Sequence, residues 1–395
     1  MNRWTVVAGA LLVQLCLGAI YAWSVFVNPL KDGYAMSTTE TQIIFSLGLA
    51  SFAATMIFAG RWQDKKGPRL VATIGGGVLG AGYILGSLSG GSFPLIALTV
   101  GVIGGAGIGL AYVCPIAACV KWFPDKRGLV TGLAVAGFGA GAWVFAQLAD
   151  MFIASEGVLS AFLYLGLIFF AVVVGGAQLL RNPPTGWKPK GWKAPETKKK
   201  SKEDFEWREL LKMKQFWILW TMFFFGATAG LMVIGILKPF GVISGLSAIT
   251  AGAAVGILAI FNGGGRIVWG ALSDKLGHNK TMSLMFALQG VIMLVLIQMG
   301  SAELTLAIAA AWIGFNFGGN FALFPSATAD YFGTKNLGMN YGLVFTSYGV
   351  AGIFGPILGG AVFDATGSYL WAFMPAGVLC LVAAGLAFLL KAPKD

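Results

Sequence analysis

The chain has 395 residues, of which 57% are hydrophobic and only 11% are charged, and its formal net charge is +11. Its mean hydropathy is +0.79. Soluble domains contain about 25% charged residues, so this composition excludes a soluble enzyme, a disordered chain and a collagen-like chain. The lipid bilayer is therefore the expected solvent of this protein.

Twelve runs of the sequence are long and apolar enough to cross a membrane, for which about 20 residues are needed. The runs do not alternate between apolar and polar positions, so we expect helices rather than the strands of a barrel. The predicted fold class is an all-α membrane protein with twelve transmembrane helices. In chain order, the predicted spans are 4–30, 41–61, 69–89, 94–121, 127–150, 156–181, 214–238, 246–271, 280–299, 301–330, 337–363 and 368–391.

The basic residues are distributed unevenly between the two sides of the membrane. All 27 except Lys31, Lys238 and Arg266 lie near the ends of the chain or in alternate connections between spans. Because basic loops remain in the cytoplasm, we expect a multi-pass protein of the cell membrane with both termini cytoplasmic. A nucleic-acid patch at Lys198–Lys200 is disfavoured, since topology alone accounts for basic loops beside spans.

One long polar segment, residues 182–213, divides the chain into two groups of six spans. The expected domains are an N-terminal six-helix bundle at 1–181, this cytoplasmic linker, and a C-terminal six-helix bundle at 214–395. Within the linker, the stretch from Glu203 to Lys212 is equally compatible with a short amphipathic helix on the inner leaflet and with a solvated connection.

The two groups of spans repeat one another at a constant offset of 210 positions. An even number of helices returns the chain to its starting side, so the two units are expected to be parallel. Parallel six-helix repeats with a solute site at their interface describe one class of secondary transporter. The recurring pairs are Pro29 and Pro239, Gly60 and Gly270, Asp64 and Asp274, Gly67 and Gly277, Pro115 and Pro325, Gly128 and Gly338, Gly132 and Gly342, and Gly139 and Gly349.

The connection after the second span contains the pattern G-x-x-x-D-x-x-G-x-R. This pattern resembles the loop signature of the major facilitator superfamily. In the second repeat, Asn279 stands where the signature has its arginine. The resemblance implies that one half rocks against the other, and it assigns conformational gating to Gly60, Asp64, Gly67, Arg69 and Asp274.

Three stretches resemble the oxalate/formate antiporter and monocarboxylate transporter branch of that superfamily. They are KWFPDKRGLVTGLAVAGFGAGA, NPPTGWKPKGW and FWILWTMFFFGATAGLMVIG. A bacterial lactate-type carrier is the most similar member, which implies symport of a small monocarboxylate anion such as L-lactate or pyruvate with a proton. Oxalate/formate-type anion exchange is the alternative. We expect no cofactor, no metal site, no nucleic acid and no obligate protein partner.

Arg266 is the one basic residue inside a span, and all sixteen acidic residues fall in loops or at helix ends. Three glycines before it, Gly263–Gly265, would let a neighbouring backbone or a solute come close. The resemblance implies a substrate-binding arginine here, whose guanidinium would pair bidentately with a carboxylate. Alternatively, the side chain snorkels to the inner interface. Asn262 stands where animal monocarboxylate carriers have an aspartate, so the obvious proton acceptor is missing.

The remaining candidate residues are aromatic or weakly polar, and for each of them packing between helices is an equally good explanation. Tyr348 stands where the oxalate exchanger has a second cation. A single arginine suits a single carboxylate, because a second carboxylate would be desolvated without a partner. The predicted substrate-binding residues, in addition to Arg266 and Asn262, are Tyr21, Tyr112, Phe317, Asn320, Phe345 and Tyr348.

Overall fold

The computed structural model describes residues 3–36, 38–184, 186–189 and 204–391, and its regular elements are helices. A 3-10 segment, Gly18–Ala22, joins the first two helices, and a π-helical segment, Ala97–Gly104, precedes α6. Lys198–Lys200 and Glu203, singled out in the linker, lie outside the described residues. The helices are α1 (Trp4–Leu17), α2 (Ser24–Tyr34), α3 (Thr38–Lys66), α4 (Pro68–Ser87), α5 (Phe93–Ile96), α6 (Gly105–Trp122), α7 (Arg127–Glu156), α8 (Val158–Ala177), α9 (Trp207–Leu210), α10 (Lys214–Ile243), α11 (Ala248–Leu276), α12 (His278–Met299), α13 (Glu303–Phe332), α14 (Leu337–Thr366) and α15 (Leu370–Leu389).

Eleven helical stretches of the described chain are long and apolar enough to cross a membrane. With α14, a further helix of 30 residues, the described chain has twelve long helical stretches. The prediction of an all-α membrane protein is confirmed.

The chain forms two compact units, each built from several segments. Unit 1 comprises Met1–Pro124, Ala134–Trp192 and Thr334–Gly342. Unit 2 comprises Asp125–Leu133, Lys193–Gly333 and Leu343–Asp395. The start of α7 therefore groups with unit 2, and the start of α14 groups with unit 1. The domains expected at 1–181, 182–213 and 214–395 stay a prediction.

The same turn is built once in each sequence repeat. Gly67 lies between α3 and α4 with φ +88°, and Gly277 lies between α11 and α12 with φ +82°. Only glycine adopts this conformation without a steric penalty, which explains why both positions keep it. The α11 helix continues five residues beyond the predicted limit of 271 and includes Asp274.

In unit 2, α11 and α13 pack with their backbones almost in contact. A Cβ atom on Gly265 would lie 1.9 Å from the carbonyl oxygen of Phe315, and one on Gly318 would lie 2.0 Å from that of Asn262. No larger residue fits at either position. This close packing fixes the helix that carries Arg266 against α13.

Candidate functional site

Arg266 lies inside unit 2 with 0% of its surface exposed. Its Nε donates a hydrogen bond to Asn262 Oδ1 at 3.1 Å, one helical turn earlier on α11. Its Cζ lies 4.4 Å from the ring centroid of Phe321 on α13. An arginine that snorkels to the interface would have an exposed guanidinium, which this side chain does not have.

These two contacts orient the guanidinium plane. The guanidinium carbon lies over the ring of Phe321, whose quadrupole attracts the cation, and Asn262 accepts a hydrogen bond from Nε. Burying a charge in a membrane protein is costly, and such residues generally serve a function. The arrangement can therefore present a planar donor group of fixed orientation to a carboxylate.

Three of the predicted residues gather around Phe321. Its ring centroid lies 5.2 Å from that of Phe317, 5.5 Å from that of Tyr348 and 6.4 Å from that of Phe345. Phe345 and Tyr348 also contact each other, with centroids 4.8 Å apart. An aromatic surface beside Arg266 is thus formed by Phe317, Phe321, Phe345 and Tyr348.

Asn320 has other partners. Its Nδ2 donates to the carbonyl oxygen of Phe317 at 3.1 Å. Its Oδ1 lies 3.1 Å from the place that a Cβ atom on Gly226 would occupy, and the ring of Phe286 borders the same place. Asn320 therefore faces α10 and α12, and the structure does not bring it to Arg266.

Tyr21 and Tyr112 belong to an aromatic cluster in unit 1. Each packs edge-on against Phe138 with ring centroids 5.3 Å apart. Phe52 packs against Tyr112 at 5.0 Å.

The two aromatic clusters share one position of the sequence repeat. Phe138 is the counterpart of Tyr348, 210 positions apart. By the same offset, Phe52 and Met56 stand where unit 2 has Asn262 and Arg266. The other aromatic residues of the two clusters lie at different positions of the repeat, and only unit 2 has a cation at the position of Arg266.

The two signature aspartates both bind the start of a helix. The carboxylate of Asp64 accepts hydrogen bonds from the backbone N–H groups of Gly338 and Met339, at 3.1 and 2.9 Å, within unit 1. Lys121 lies 3.8 Å from the same carboxylate. Helix N-termini stabilise negative charge because their N–H groups and the helix dipole point towards it.

Asp274 repeats this arrangement in unit 2. Its carboxylate accepts from the N–H groups of Gly128 and Leu129, both at 2.8 Å. A Cβ atom on Gly270 would lie 2.2 Å from the carbonyl oxygen of Gly128, and one on Gly60 would lie 2.0 Å from that of Gly338. Gly60 and Gly270 therefore let the helix that carries each aspartate come close to the helix start that the aspartate binds.

The last signature position also has equivalent partners in the two repeats. Arg69 Nε donates to Gln178 Oε1 at 2.7 Å, directly after α8. Asn279 Nδ2 donates to the carbonyl oxygen of Leu390, directly after α15. Asn279 thus still reaches the end of the last helix of its own repeat.

Several functional candidates were not found from the sequence. Phe321 follows Phe317 by four residues on one helix face, a spacing that could have revealed it. The ion pair of Arg127 with Asp330, and the 2.8 Å contact of His278 Nε2 with Asp330 Oδ2, join distant parts of the chain within unit 2. No local pattern indicates such contacts.

Comparison with known proteins agrees with this fold. The sequence matches the model of the Major Facilitator Superfamily over residues 9–328 and 267–395. It is 35% identical to the oxalate:formate antiporter of Oxalobacter formigenes over 390 residues, or 98% of this chain and 91% of that protein. It is 26% identical to monocarboxylate transporter 12 of Rattus norvegicus over 419 residues, or 99% and 86% of the two proteins.

A solved structure shows the same fold. The crystal structure of the transporter FucP in the outward conformation superposes with a TM-score of 0.73 at 16% identity, covering 98% of this chain and 99% of that one. Together with the family match and the two relatives, this shows that the chain belongs to the Major Facilitator Superfamily of membrane transporters.

Proposed function

We propose that the protein carries small monocarboxylate anions, L-lactate or pyruvate, across the cell membrane by alternating access, in symport with a proton. In this proposal both termini are cytoplasmic. The named monocarboxylate transporter among its relatives supports this solute class. The observation that carries the proposal is the buried guanidinium of Arg266, oriented by Asn262 and Phe321.

The chemistry of Arg266 fits a carboxylate better than it fits a neutral solute. A planar guanidinium binds a carboxylate through two parallel N–H bonds. The neighbouring aromatic surface fits the short apolar end of lactate or pyruvate, because solute pockets combine apolar walls with a few oriented polar groups. The same residues offer little to a sugar, whose hydroxyl groups need many hydrogen bonds.

The number of cations favours one carboxylate per solute. Among the residues whose burial is described, Arg266 is the one buried residue with a charged side chain. Tyr348, which also has 0% exposure, is surrounded by phenylalanine rings and brings no charge to this surface. A second carboxylate placed here would be desolvated without a cation, which is unfavourable.

A co-transported proton finds no deep carboxylate in the part of the chain that the structure describes. Its acidic residues lie in loops or near helix ends, and Asn262 is not titratable. The proton would travel on the carboxylate of the solute beside Arg266, on a tyrosine or water, or on an end-of-helix acid such as Glu40 or Asp150.

Anion exchange is the second candidate. The 35% identity to the oxalate:formate antiporter favours it, and formate also carries a single carboxylate. In this case solute would cross only against a counter-anion, and no proton would be required.

Uptake by proteoliposomes, measured without and with anion inside the vesicles, distinguishes proton symport from anion exchange. A symporter accumulates labelled lactate when only the outside is acidified, with no anion inside. An exchanger takes up lactate or oxalate only when the vesicles are preloaded with anion. Preference for oxalate over lactate, or the absence of uptake in both formats, would contradict the monocarboxylate proposal.

A further inference from the structure

Among the buried side chains of unit 2 whose polar atoms have no hydrogen-bond partner among the described residues, four lie near one another where α11, α12 and α13 meet. In these four, the atoms without a partner are Nε2 and Oε1 of Gln289, Nδ2 and Oδ1 of Asn316, Oδ1 of Asn320 and Nε1 of Trp269. Gln289 is 3% exposed and Asn316 is 1% exposed. These amides lie in membrane-spanning helices, where the surrounding lipid offers no hydrogen-bond partners.

The contacts of Gly319 show where α11 and α12 meet α13. A Cβ atom on Gly319 would lie 2.5 Å from Met285 Sδ and 2.6 Å from Trp269 Cδ1. Met285 and Trp269 therefore both point at this position of α13. The indole nitrogen of Trp269 is bonded to that same Cδ1 atom and lies close to the junction.

Gln289 and Asn316 point into this junction. Gln289 follows Met285 by four residues and so lies on the same face of α12. Asn316 precedes Gly319 by three residues on the same face of α13. The short turn at 300–302 joins α12 to α13. Gln289 lies nearer to this turn than Met285 by about 6 Å along α12, and Asn316 lies nearer to it than Gly319 by about 4.5 Å along α13.

Asn320 approaches the junction from the side of α10. It lies one turn from Asn316 on α13, and its Oδ1 is directed at Gly226 together with the ring of Phe286. Phe286 precedes Gln289 by three residues, again one turn away on α12. The unpartnered amide atoms are therefore concentrated in one region of unit 2.

Such a concentration needs partners. Native proteins pair nearly all buried polar groups, and where no protein group is available they use ordered water with two to four hydrogen bonds. Apolar residues would fill a helix junction in lipid without this requirement. The two carboxamides are themselves neutral, and each has both a donor and an acceptor without a partner, which indicates a neutral ligand that both donates and accepts hydrogen bonds.

We propose that Gln289 and Asn316 form a binding site for ordered water inside unit 2, with Asn320 Oδ1 and the indole N–H of Trp269 at its edges. Water matches the donors and acceptors of both carboxamides. The site lies next to the anion site without being part of it, because Trp269 follows Arg266 by three residues and Asn320 precedes Phe321. It does not depend on which anion is transported.

Radiolytic labelling of the full-length protein in lipid nanodiscs tests this site, because hydroxyl radicals formed from bound water oxidise the side chains beside it. The expected result is labelling of Met285 and Phe286 well above that of Met232 and Phe240. The latter two side chains are equally buried but lie in the apolar core of the same unit. When the experiment is carried out in isotope-labelled water, the oxygen isotope should appear in the oxidised side chains of Met285 and Phe286.

The double variant Gln289→Leu/Asn316→Leu should lower labelling at Met285 by at least about fivefold, since the site loses its polar partners. The apolar variant Ile292→Leu on the same helix is the matched control and should leave labelling unchanged. If wild-type Met285 and Phe286 were labelled no more than Met232 and Phe240, the two amides would be paired with protein groups and the water site would be excluded. Unchanged labelling in the folded double variant would also overturn it. The wild-type comparison decides even if the double variant does not fold.

Discussion

Replacing Arg266 with lysine tests the proposed anion site while keeping the positive charge at this position. In the native protein, Nε is bonded to Asn262 Oδ1 at 3.1 Å, and the guanidinium lies 4.4 Å from the centre of Phe321. Lysine has no planar fork of donors, so it would give up both the Asn262 bond and one of the two parallel bonds to a carboxylate. The contact of the guanidinium with the ring of Phe321 would be lost as well.

The size of the effect follows from the bonds lost. A hydrogen bond to a charged group contributes about 1.5–3 kcal/mol, so losing two of them costs about 3–6 kcal/mol. Since about 1.4 kcal/mol corresponds to a factor of ten, kcat/KM for lactate should fall at least about a hundredfold.

Initial rates of lactate uptake by proteoliposomes, at several concentrations, measure this loss. Arg208→Lys is the control, because Arg208 lies in the linker against Trp207 and should retain wild-type uptake. Wild-type kinetics in Arg266→Lys would refute the bidentate pairing. A loss confined to poorly inserted protein would be recognised from the thermal unfolding of the purified variant.

Three other changes probe gating, specificity and coupling. Asp64→Ala removes the acceptor for two backbone N–H groups of α14. In this variant we expect altered labelling of single cysteines placed on either side of the membrane, which reports the balance of inward- and outward-facing states. A loss of solute affinity of about tenfold with unchanged labelling would instead put Asp64 in the solute site. Tyr348→Lys should shift preference towards a dicarboxylate in competition assays, because it supplies a second cation; an unchanged ratio of oxalate to lactate uptake would contradict this. Wild-type lactate uptake should accelerate when the outside is acidified, as followed with a pH-sensitive dye inside the vesicles, and uptake that ignores the proton gradient but requires internal anion would favour exchange.

The regular part of the fold was predictable because the membrane imposes one strong rule on the sequence. Apolar runs long enough to cross lipid must be helical, and this identified the spans without any knowledge of their packing. The limits were less accurate where tertiary contacts decide them. The first predicted span, 4–30, is interrupted by the 3-10 segment Gly18–Ala22, where a Cβ atom on Gly18 would lie 2.0 Å from the carbonyl oxygen of Phe138.

The end of α11 shows the same limit of sequence reasoning. Charged residues suggested an end at 271, but the helix continues through Asp274, whose carboxylate binds the N–H groups of Gly128 and Leu129, and ends at Leu276. Those partners are more than a hundred residues away in the sequence. The spacing within a single loop therefore gives no indication of them.

The proposed anion site was predictable only where a residue type is unusual for its surroundings. A charged Arg266 inside an apolar run is conspicuous, and its location in unit 2 beside Asn262 could be anticipated from the helical period. Phe321 was overlooked although it follows Phe317 by one helical turn, because α13 contains several other phenylalanines and the spacing alone does not single one of them out. The orientation of Asn320 towards Gly226 depends on how three helices pack, which the sequence of one helix does not contain.

Each half of the chain contains one helix start that groups with the unit formed mainly by the other half. Residues Asp125–Leu133 group with unit 2 and Thr334–Gly342 group with unit 1. If the gene were split within the linker, each half would lack the helix start that hydrogen-bonds its signature aspartate. Either fragment expressed alone would carry an exposed or unsatisfied Asp64 or Asp274, whereas co-expressed fragments could complement each other and restore a functional transporter from two polypeptides.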